Sequence, residues 1–263
     1  MHLGNVMCAL LSWLSAKSQN GQWRLRIEDL DPQRSKRDYA LQLMDDLQWL
    51  GLPWDGEVVW QSERFDIYKE YLDRLQQMGL TYFCNCTRAD IMATQAPHEA
   101  DGRVVYRGTC RDKGLTEGVL RLRVPESLQQ HCGDFILRRR DGAWAYQLAV
   151  VVDDGLMGIT EVVRGKDLLT SVPQQKYLYE LLDLPCPEFI HHPLLCNALG
   201  QRLCKRDKAM DLSEMRKTLS ASEIIGHMAY LTGLIQEETP LMPHDLIPLF
   251  SWNRVPKNDI ISN

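Results

Sequence analysis

Residues 22–53 read QWRLRIEDLDPQRSKRDYALQLMDDLQWLGLP. Gln22 to Ile27 predicts a short strand. A helix follows, for which Asp31 is placed as the cap and Pro32 as the first residue. Apolar residues then recur at helical spacing until Gly51-Leu52-Pro53 ends the helix. A strand that leads into a helix is the unit from which parallel α/β sheets are built.

The alternation of strands and helices continues along the chain. Helical spacing of apolar residues predicts helices over 6–18 and 64–78. Ile159 to Val163 predicts a strand, and Asp167 to Leu182 predicts a helix interrupted at its proline. The apolar run from Leu148 to Val152 fits a helix or a strand, because periodicity does not distinguish them over so short a length. The predicted fold class is α/β with a parallel sheet and a mainly helical C-terminal part.

The composition excludes several classes of protein. The chain has 263 residues, 44% of them hydrophobic and 25% charged, as in ordinary globular proteins. No apolar run approaches the roughly 20 residues that a membrane-spanning helix needs, and the N-terminus lacks the features of a signal peptide. Because the net charge is −5, a nucleic-acid partner requires a local basic patch. Arg121 with Arg123, or residues 138–140, would supply one; the alternative for each is a solvated charged edge.

Three of the eight cysteines lie around a segment of different composition. Residues 94–118 contain several glycines and few apolar residues, which predicts an insertion without a core of its own. Cys84, Cys86 and Cys110 flank its two ends, so that three thiolates can bind one structural Zn²⁺. The fourth ligand is Tyr106 or His98; the alternative is a group of buried cysteines without metal. The scattered remaining cysteines indicate reduced thiols and a cytoplasmic protein.

Two predicted strands end in residues of opposite charge. The first ends at Arg26-Ile27-Glu28, and the later one at Val163-Arg164-Gly165. Ligands of open α/β sheets bind beyond the carboxyl ends of the strands. Glu28 would accept the ammonium group of a zwitterion there, and Arg164 would bind its carboxylate through the planar guanidinium. The alternative is an internal salt bridge, or helix capping by Asp31 and Asp167.

Two further segments have features of a phosphate site. His2-Leu3-Gly4-Asn5 precedes an apolar helix, whose N-terminus presents free N–H groups and the positive end of its dipole. Gly4 would permit the close approach of a planar base. Residues 200–207 form a basic loop, in which Lys205 would neutralise charge on a departing triphosphate. The alternatives are a frayed helix start with Asn5 as N-cap and a plain surface loop.

Four runs of residues together resemble the glutamyl-tRNA synthetases of class I. They are RIEDLDPQR (26–34), LGLPWDGEVVWQSERFDIY (50–68), DFILRRRDGAWAYQLAVVVDDGLMGITEVVRGKDLL (134–169) and GQRLCKRD (200–207). The runs look closest to the short paralogues in this family, the glutamyl-queuosine tRNA(Asp) synthetases. The match covers nearly the whole chain.

The resemblance implies a Rossmann-like parallel sheet with a zinc-bearing insertion and a short helical C-terminal part. Residues 1–83 and 131–207 would be the two halves of the nucleotide-binding domain. Residues 84–130 would form the insertion, and 208–263 a helical region without an anticodon-binding domain. In this family an Arg-Phe-Ala-Pro-Ser-Pro-type segment precedes the HIGH signature, whereas this chain begins at the signature. We therefore expect the first strand to be missing.

The resemblance also implies roles for individual residues. His2 to Asn5 match the HIGH signature, so that His2, Gly4 and Asn5 would bind ATP and His2 would act in catalysis. Lys205 matches the lysine of the KMSKS-type loop and would bind ATP and act in catalysis, with Cys204 in place of the usual Ser. The residues that match the glutamate-binding positions are Glu28, Tyr146 and Arg164. Those that match the zinc ligands are Cys84, Cys86, Tyr106 and Cys110, which favours Tyr106 over His98.

The implied reaction has two steps. ATP with Mg²⁺ activates L-glutamate to glutamyl-adenylate, and the glutamyl group then passes to queuosine in the anticodon loop of tRNA(Asp). Two alternatives remain: a catalytic fragment of an ordinary glutamyl-tRNA synthetase that charges tRNA(Glu), and a non-catalytic zinc-bearing RNA-binding module. We expect a cytoplasmic monomer that does not contact a membrane.

Overall fold

The computed structural model of the chain describes residues 1–31, 35–93, 105–197, 200 and 211–261. Helices and strands alternate through most of these residues. The α-helices described are α1 (Leu3–Ser18), α2 (Arg37–Trp49), α3 (Phe65–Gln77), α4 (Arg88–Ala93), α5 (Glu126–Gln129), α6 (Tyr146–Leu156), α7 (Val172–Leu182), α8 (Leu212–Met215), α9 (Ala221–Leu231) and α10 (Pro243–Leu246). The strands described are β1 (Arg26–Ile27), β2 (Val59–Trp60), β3 (Thr81–Cys84), β4 (Val119–Leu122), β5 (Ile136–Arg138), β6 (Glu161–Gly165), β7 (Glu188–His192), β8 (Leu195–Cys196) and β9 (Ile260–Ile261).

Three of the four sheets in the described ranges are parallel pairs of strands, namely β1 with β2, β6 with β7, and β8 with β9. The strands β3, β4 and β5 form an antiparallel sheet. Helix α2 connects β1 to β2, and α7 connects β6 to β7, as parallel pairing requires. The predicted α/β class with parallel strands is therefore confirmed, whereas the missing first strand stays a prediction.

The structure differs from the prediction between β1 and α2. The strand is limited to Arg26–Ile27, and the helix begins at Arg37 instead of next to Asp31. The Asp31 carboxylate accepts a hydrogen bond at 3.2 Å from Arg139, which lies 108 positions later in the chain. Pro32 lies outside the described residues. The predicted cap at Asp31 involves residues 32–34, which lie outside the described residues, so it stays a prediction.

The apolar run that fitted either a helix or a strand lies in α6. All five residues from Leu148 to Val152 are buried, because α6 contacts α3, α7 and β5. A helix that is buried on all sides has no polar face, so its sequence shows no amphipathic period. Pro173 lies in the first turn of α7 and does not interrupt a longer helix, since a 3₁₀ helix (Lys166–Ser171) precedes it.

Two large hydrophobic clusters stabilise the fold. The first surrounds α1 and includes α9, with Leu10, Leu14 and Met228 fully buried. The second joins α3, α6 and α7 to the antiparallel sheet and includes Tyr68 and Tyr179. The C-terminal part adds β9 to its helices and is therefore less helical than predicted. None of the described helices is long and apolar enough to cross a membrane.

Candidate active site

A cleft of about 810 Å³ lies between the two hydrophobic clusters. Residues of α1 and α6 contribute to its lining, and so do residues of β1 and β6 and the segments next to these strands. Parallel strands direct their carboxyl ends to the same edge of a fold, where ligands of α/β proteins bind. The cleft extends along β6 and the segment that contains β1, and it includes residues at the ends of both strands.

The cleft brings together the three residues predicted to bind glutamate. Glu28 directly follows β1, Arg164 lies near the end of β6, and Tyr146 is the first residue of α6; all three line the cleft. Burial raises the pKa of Tyr146, the charge of Glu28 adds to this rise, and the charge of Arg164 opposes it. The phenol therefore lies within the electrostatic range of both charged groups.

Arg164 is held in one orientation with part of its guanidinium unpaired. Its side chain is buried, with 7% of its surface exposed, and stacks over the ring of Phe189 at 4.7 Å. Its Nε donates a hydrogen bond at 3.3 Å to Nε2 of His191. The described residues provide no acceptor for Nη2, although that nitrogen is buried. Because an unpaired buried donor is costly, this nitrogen is suited to an acceptor supplied by a ligand.

Glu28 forms an internal salt bridge with Arg26, as the alternative reading allowed, whereas no ion pair joins it to Arg164 among the described residues. The distance from Arg26 Nη2 to Glu28 Oε1 is 3.3 Å. Although 42% of the Glu28 side-chain surface is exposed, desolvation by the surrounding protein raises the pKa of its carboxyl group above the usual value. Arg26 opposes this rise, while Asp154 and Asp153 add to it. Glu28 lines the cleft and, among the described residues, accepts a hydrogen bond from Arg26 at one of its oxygens, Oε1.

Two consecutive aspartates of α6, which sequence reasoning did not single out, bind the arginine that pairs with Glu28. Asp154 Oδ1 accepts a hydrogen bond from Arg26 Nη1 at 2.6 Å, and Asp153 Oδ2 is 3.8 Å from Arg26 Nε. Both aspartates are buried. Two adjacent acidic residues at the end of an otherwise apolar run were the signal for this cluster, since buried carboxylates need partners.

The residues of the HIGH-like segment form the start of α1. His2 is the N-cap residue, and its backbone N–H lies 3.4 Å from the Asn5 side-chain oxygen, so Asn5 is not the N-cap. A β-carbon at Gly4 would lie 3.0 Å from the His2 ring, which explains the small residue there. Asn5 also lines the cleft. Of the predicted basic loop only Gly200 is described, and Lys205 lies outside the described residues.

The three cysteines predicted to bind zinc lie together. The sulfur atoms of Cys84, Cys86 and Cys110 are all within 4.8 Å of one another. Cys86 Sγ is 3.5 Å from Cys110 Sγ and 3.8 Å from the Tyr106 hydroxyl oxygen. Thiolates bound to one Zn²⁺ at about 2.3 Å lie roughly 3.8 Å apart, so these distances fit a shared ion. Tyr106 is therefore close enough to complete the set, whereas His98 lies outside the described residues.

The two candidate basic patches differ in their exposure to solvent. Arg121 is buried, donates a hydrogen bond at 2.8 Å to the carbonyl oxygen of Asp134, and stacks over the ring of Tyr106 at 4.0 Å. It therefore supports the core of the cysteine-bearing region and is not part of a surface for RNA. Arg138, Arg139 and Arg140 are exposed at the end of β5 and remain the candidate basic patch.

One family model accounts for most of the chain. The family described as tRNA synthetases class I (E and Q), catalytic domain, matches residues 1–126 and 119–239. The chain belongs to this family. The matched residues of this class I synthetase include β1, α6 and β6, and therefore the strand ends at the cleft. The predicted class of enzyme, a ligase of the aminoacyl-tRNA synthetase type, is confirmed.

Curated relatives of this class I synthetase include short and long proteins. The chain is 39% identical to the glutamyl-Q tRNA(Asp) synthetase of Nitratidesulfovibrio vulgaris, over 100% of the chain and 92% of the relative. It is 42% identical to that of Symbiobacterium thermophilum, over 99% and 91%. The match to the glutamate–tRNA ligase of Oleidesulfovibrio alaskensis, 37% identical, covers 98% of the chain but 60% of the relative. The chain thus spans nearly the whole length of the two short relatives and 60% of the longer one.

Solved structures of glutamate-tRNA synthetases have a similar fold. The glutamate tRNA ligase from Elizabethkingia meningosepticum, solved in complex with its amino acid, superposes with a TM-score of 0.83 at 26% identity. The glutamate-tRNA synthetase from Elizabethkingia anophelis superposes with a TM-score of 0.82 at 26% identity. Each match covers 100% of this class I synthetase and 64% or 66% of the solved chain. The α/β fold is therefore similar to that of the glutamate-tRNA ligase catalytic domain.

Proposed function

We propose that this synthetase activates L-glutamate with ATP and transfers the glutamyl group to queuosine in the anticodon loop of tRNA(Asp). The observation that supports this most directly is the buried guanidinium of Arg164, which has an unpaired nitrogen in the same cleft as Glu28. The relatives named glutamyl-Q tRNA(Asp) synthetase, of which the chain spans 92% and 91%, support this acceptor.

The zwitterionic part of glutamate would bind between the two strand ends. The α-carboxylate would accept hydrogen bonds from Arg164, whose stacking on Phe189 and bond to His191 fix the plane of the guanidinium. The ammonium group would donate to Glu28. The hydroxyl of Tyr146, between these charges, would orient the bound amino acid. This fixed arrangement would lower the barrier through positioning, because the carboxylate that attacks ATP is held in place.

ATP would bind at the start of α1. Asn5, which lines the cleft, and Gly4 would lie against the nucleotide, and His2 would act on the phosphates in catalysis. The helix N-terminus favours negative charge. Lys205 would stabilise the triphosphate as pyrophosphate leaves, and Mg²⁺ bound with ATP would neutralise part of the phosphate charge. The carboxylate of glutamate attacks the α-phosphorus, the bond to the β-phosphate oxygen breaks, and the electron pair leaves with pyrophosphate.

Zinc would have a structural role. Cys84, Cys86, Tyr106 and Cys110 would hold Zn²⁺ in a closed set of four ligands, which leaves no position for a substrate. The ion would join the end of β3 to the segment that contains Tyr106 and Cys110, and so would stabilise the insertion over residues 84–130.

The remaining features of the proposal concern organisation and location. Residues 1–83 and 131–207 would form the two halves of a Rossmann-like nucleotide-binding domain, and 208–263 a C-terminal region. The protein would act in the cytoplasm, where ATP and tRNA are found, and seven of its cysteines are free thiols in the described residues, as expected of that compartment. It would act as a monomer. Exposed residues 138–140 offer a basic surface for the RNA.

Glutamate-dependent exchange of pyrophosphate into ATP tests the first step, and transfer of labelled glutamate tests the second. We expect exchange with L-glutamate and transfer to tRNA(Asp) that contains queuosine, but not to the same tRNA without it. The Arg164→Gln variant should lose at least about tenfold in kcat/KM for glutamate, because a charged hydrogen bond is lost. Lys69→Gln, which changes an exposed ion pair, is the matched control.

Two results would overturn this proposal. Charging of tRNA(Glu) with no transfer to queuosine would identify the chain as the catalytic part of an ordinary glutamyl-tRNA synthetase. An unchanged kcat/KM in the Arg164→Gln variant would show that glutamate binds elsewhere.

A further inference from the structure

Five charged side chains form one cluster on the α6 side of the cleft. Arg26, Glu28 and Asp154 line the cleft, whereas Asp153 and Arg64 lie behind them. Asp154 Oδ1 accepts from Arg26 at 2.6 Å, and its Oδ2 accepts from the Tyr179 hydroxyl at 3.0 Å. All the contacts of Asp154 therefore come from inside the fold, although its position is at the edge of the proposed substrate site.

The aspartates have different partners and therefore different roles. Asp153 is fully buried and accepts hydrogen bonds from Gln61, Arg64 and Tyr68, at 2.8, 2.6 and 2.8 Å. These partners belong to α3 and the segment before it, so Asp153 joins α6 to α3. Asp154 instead binds the guanidinium that also contacts Glu28.

The charges of the cluster do not balance. The two positive groups are Arg26 and Arg64, and the three negative groups are Asp153, Asp154 and Glu28, which leaves a net charge of −1. The distance from Arg64 Nε to Asp153 Oδ1 is 2.6 Å, and that from Arg26 Nη1 to Asp154 Oδ1 is also 2.6 Å. The distance from Arg26 Nη2 to Glu28 Oε1 is longer, at 3.3 Å. The excess negative charge is therefore located on Glu28, at the cleft.

We propose that Asp154 is a positioning residue of the substrate site: by binding Arg26, it leaves the Glu28 carboxylate available to accept the ammonium group of the amino acid. This inference rests on the proposed function, which places that ammonium group at Glu28. Without the Asp154 charge, Arg26 would have Glu28 as its nearest remaining carboxylate and would turn toward it. A strong Arg26–Glu28 pair would then compete with the substrate for the same oxygen atoms.

The Asp154→Asn variant keeps the shape of the side chain and changes the net charge of the cluster from −1 to 0. We expect the KM for glutamate to rise roughly tenfold or more, while the KM for ATP and the kcat stay within about twofold. A purely structural role would change all three and lower the melting temperature. Asp73→Asn, which removes an exposed carboxylate paired with Lys69 at 2.6 Å, is the matched control and should change none of them.

A double variant separates electrostatics from structure. Arg26→Gln with Asp154→Asn restores the net charge of −1, because one positive and one negative group are removed together. If Asp154 acts by keeping Glu28 free, the double variant should recover a glutamate KM within about threefold of wild type. A double variant whose KM is as high as that of Asp154→Asn, or higher, would overturn the proposal.

A measurement without substrate makes this test independent of the proposed function. The pKa of the Glu28 carboxyl group can be followed by carbon-detected NMR over a pH titration. In the Asp154→Asn variant it should fall, because a neighbouring negative charge is lost and Arg26 moves closer. Absence of glutamate binding in the wild type would refute the proposed function alone, whereas an unchanged Glu28 pKa in Asp154→Asn would refute the role of Asp154.

Discussion

Replacement of Asp153 by alanine should destabilise the fold more than any single surface change. The carboxylate is fully buried and accepts three hydrogen bonds from Gln61, Arg64 and Tyr68. Asp153→Ala leaves Gln61 and Tyr68 as buried donors without this acceptor, at a cost of about 1–3 kcal/mol each. The Arg64 side chain is 20% exposed, so water can partly solvate its charge, which limits the additional cost.

We therefore expect Asp153→Ala to lower the free energy of unfolding by about 3–5 kcal/mol. In a protein of this size, that corresponds to a fall in melting temperature of roughly 10 °C. Urea unfolding followed by far-UV circular dichroism measures the first quantity, and differential scanning calorimetry measures the second.

The control for this prediction is Asp73→Ala. The Asp73 carboxylate and the Lys69 ammonium group are 40% and 62% exposed, and exposed pairs contribute less than about 1 kcal/mol. A loss below about 1 kcal/mol for Asp153→Ala, with an unchanged dependence on urea concentration, would refute the reasoning. It would show that the hydrogen bonds around Asp153 are replaced by water or by rearranged partners.

Three further predictions concern other parts of the molecule. Burial and the charge of Arg164 lower the pKa of His191. A protonated ring can no longer accept the hydrogen bond from Arg164, so glutamate binding should weaken as the pH falls below the ordinary pKa of histidine. In the His191→Gln variant, glutamate binding should not weaken over this pH range. Removal of metal by a chelator should lower the melting temperature. Wild type should bind one zinc ion per chain, measured by atomic emission, and Cys110→Ser should bind less. Gly226→Ala should destabilise the fold by about 1–3 kcal/mol, measured by urea unfolding, because the added carbon would overlap the Thr239 carbonyl oxygen.

Each of these predictions has a control or a contradicting result. The pKa of His191 is lower in the folded protein than in the unfolded chain, so on acidification the unfolded chain binds the proton first. The free energy of unfolding should therefore fall as the pH drops below the ordinary pKa of histidine. Equal acid sensitivity in wild type and His191→Gln would contradict the assignment. Cys132→Ser is the matched control for zinc, since Cys132 is buried outside the cysteine group. A Gly226→Ala variant as stable as wild type would show that the Thr239 segment shifts at no cost.

Local pattern was sufficient for some elements and insufficient for others. Helices α1 and α3 were predicted within a few residues, because apolar residues recur at helical spacing over the length of each. Helix α6 was ambiguous, since it is buried on all sides. The ion pair between Asp31 and Arg139 could not be predicted, because the guanidinium comes from a distant segment. A pattern within one turn or one strand does not contain the competing partner.

The sequence by itself determined the types of residue at the candidate site. Residue type and spacing were enough to predict the charges at the ends of β1 and β6 and the group of cysteines around the insertion. Each of these features lies within a short segment of the chain, where the local sequence is sufficient. Only the tertiary structure decided which charges pair. Arg26 and Asp154 are 128 positions apart and meet because α6 packs beside β1. Ion pairs between distant segments depend on how helices and strands pack, and this packing leaves Glu28 with the unbalanced charge.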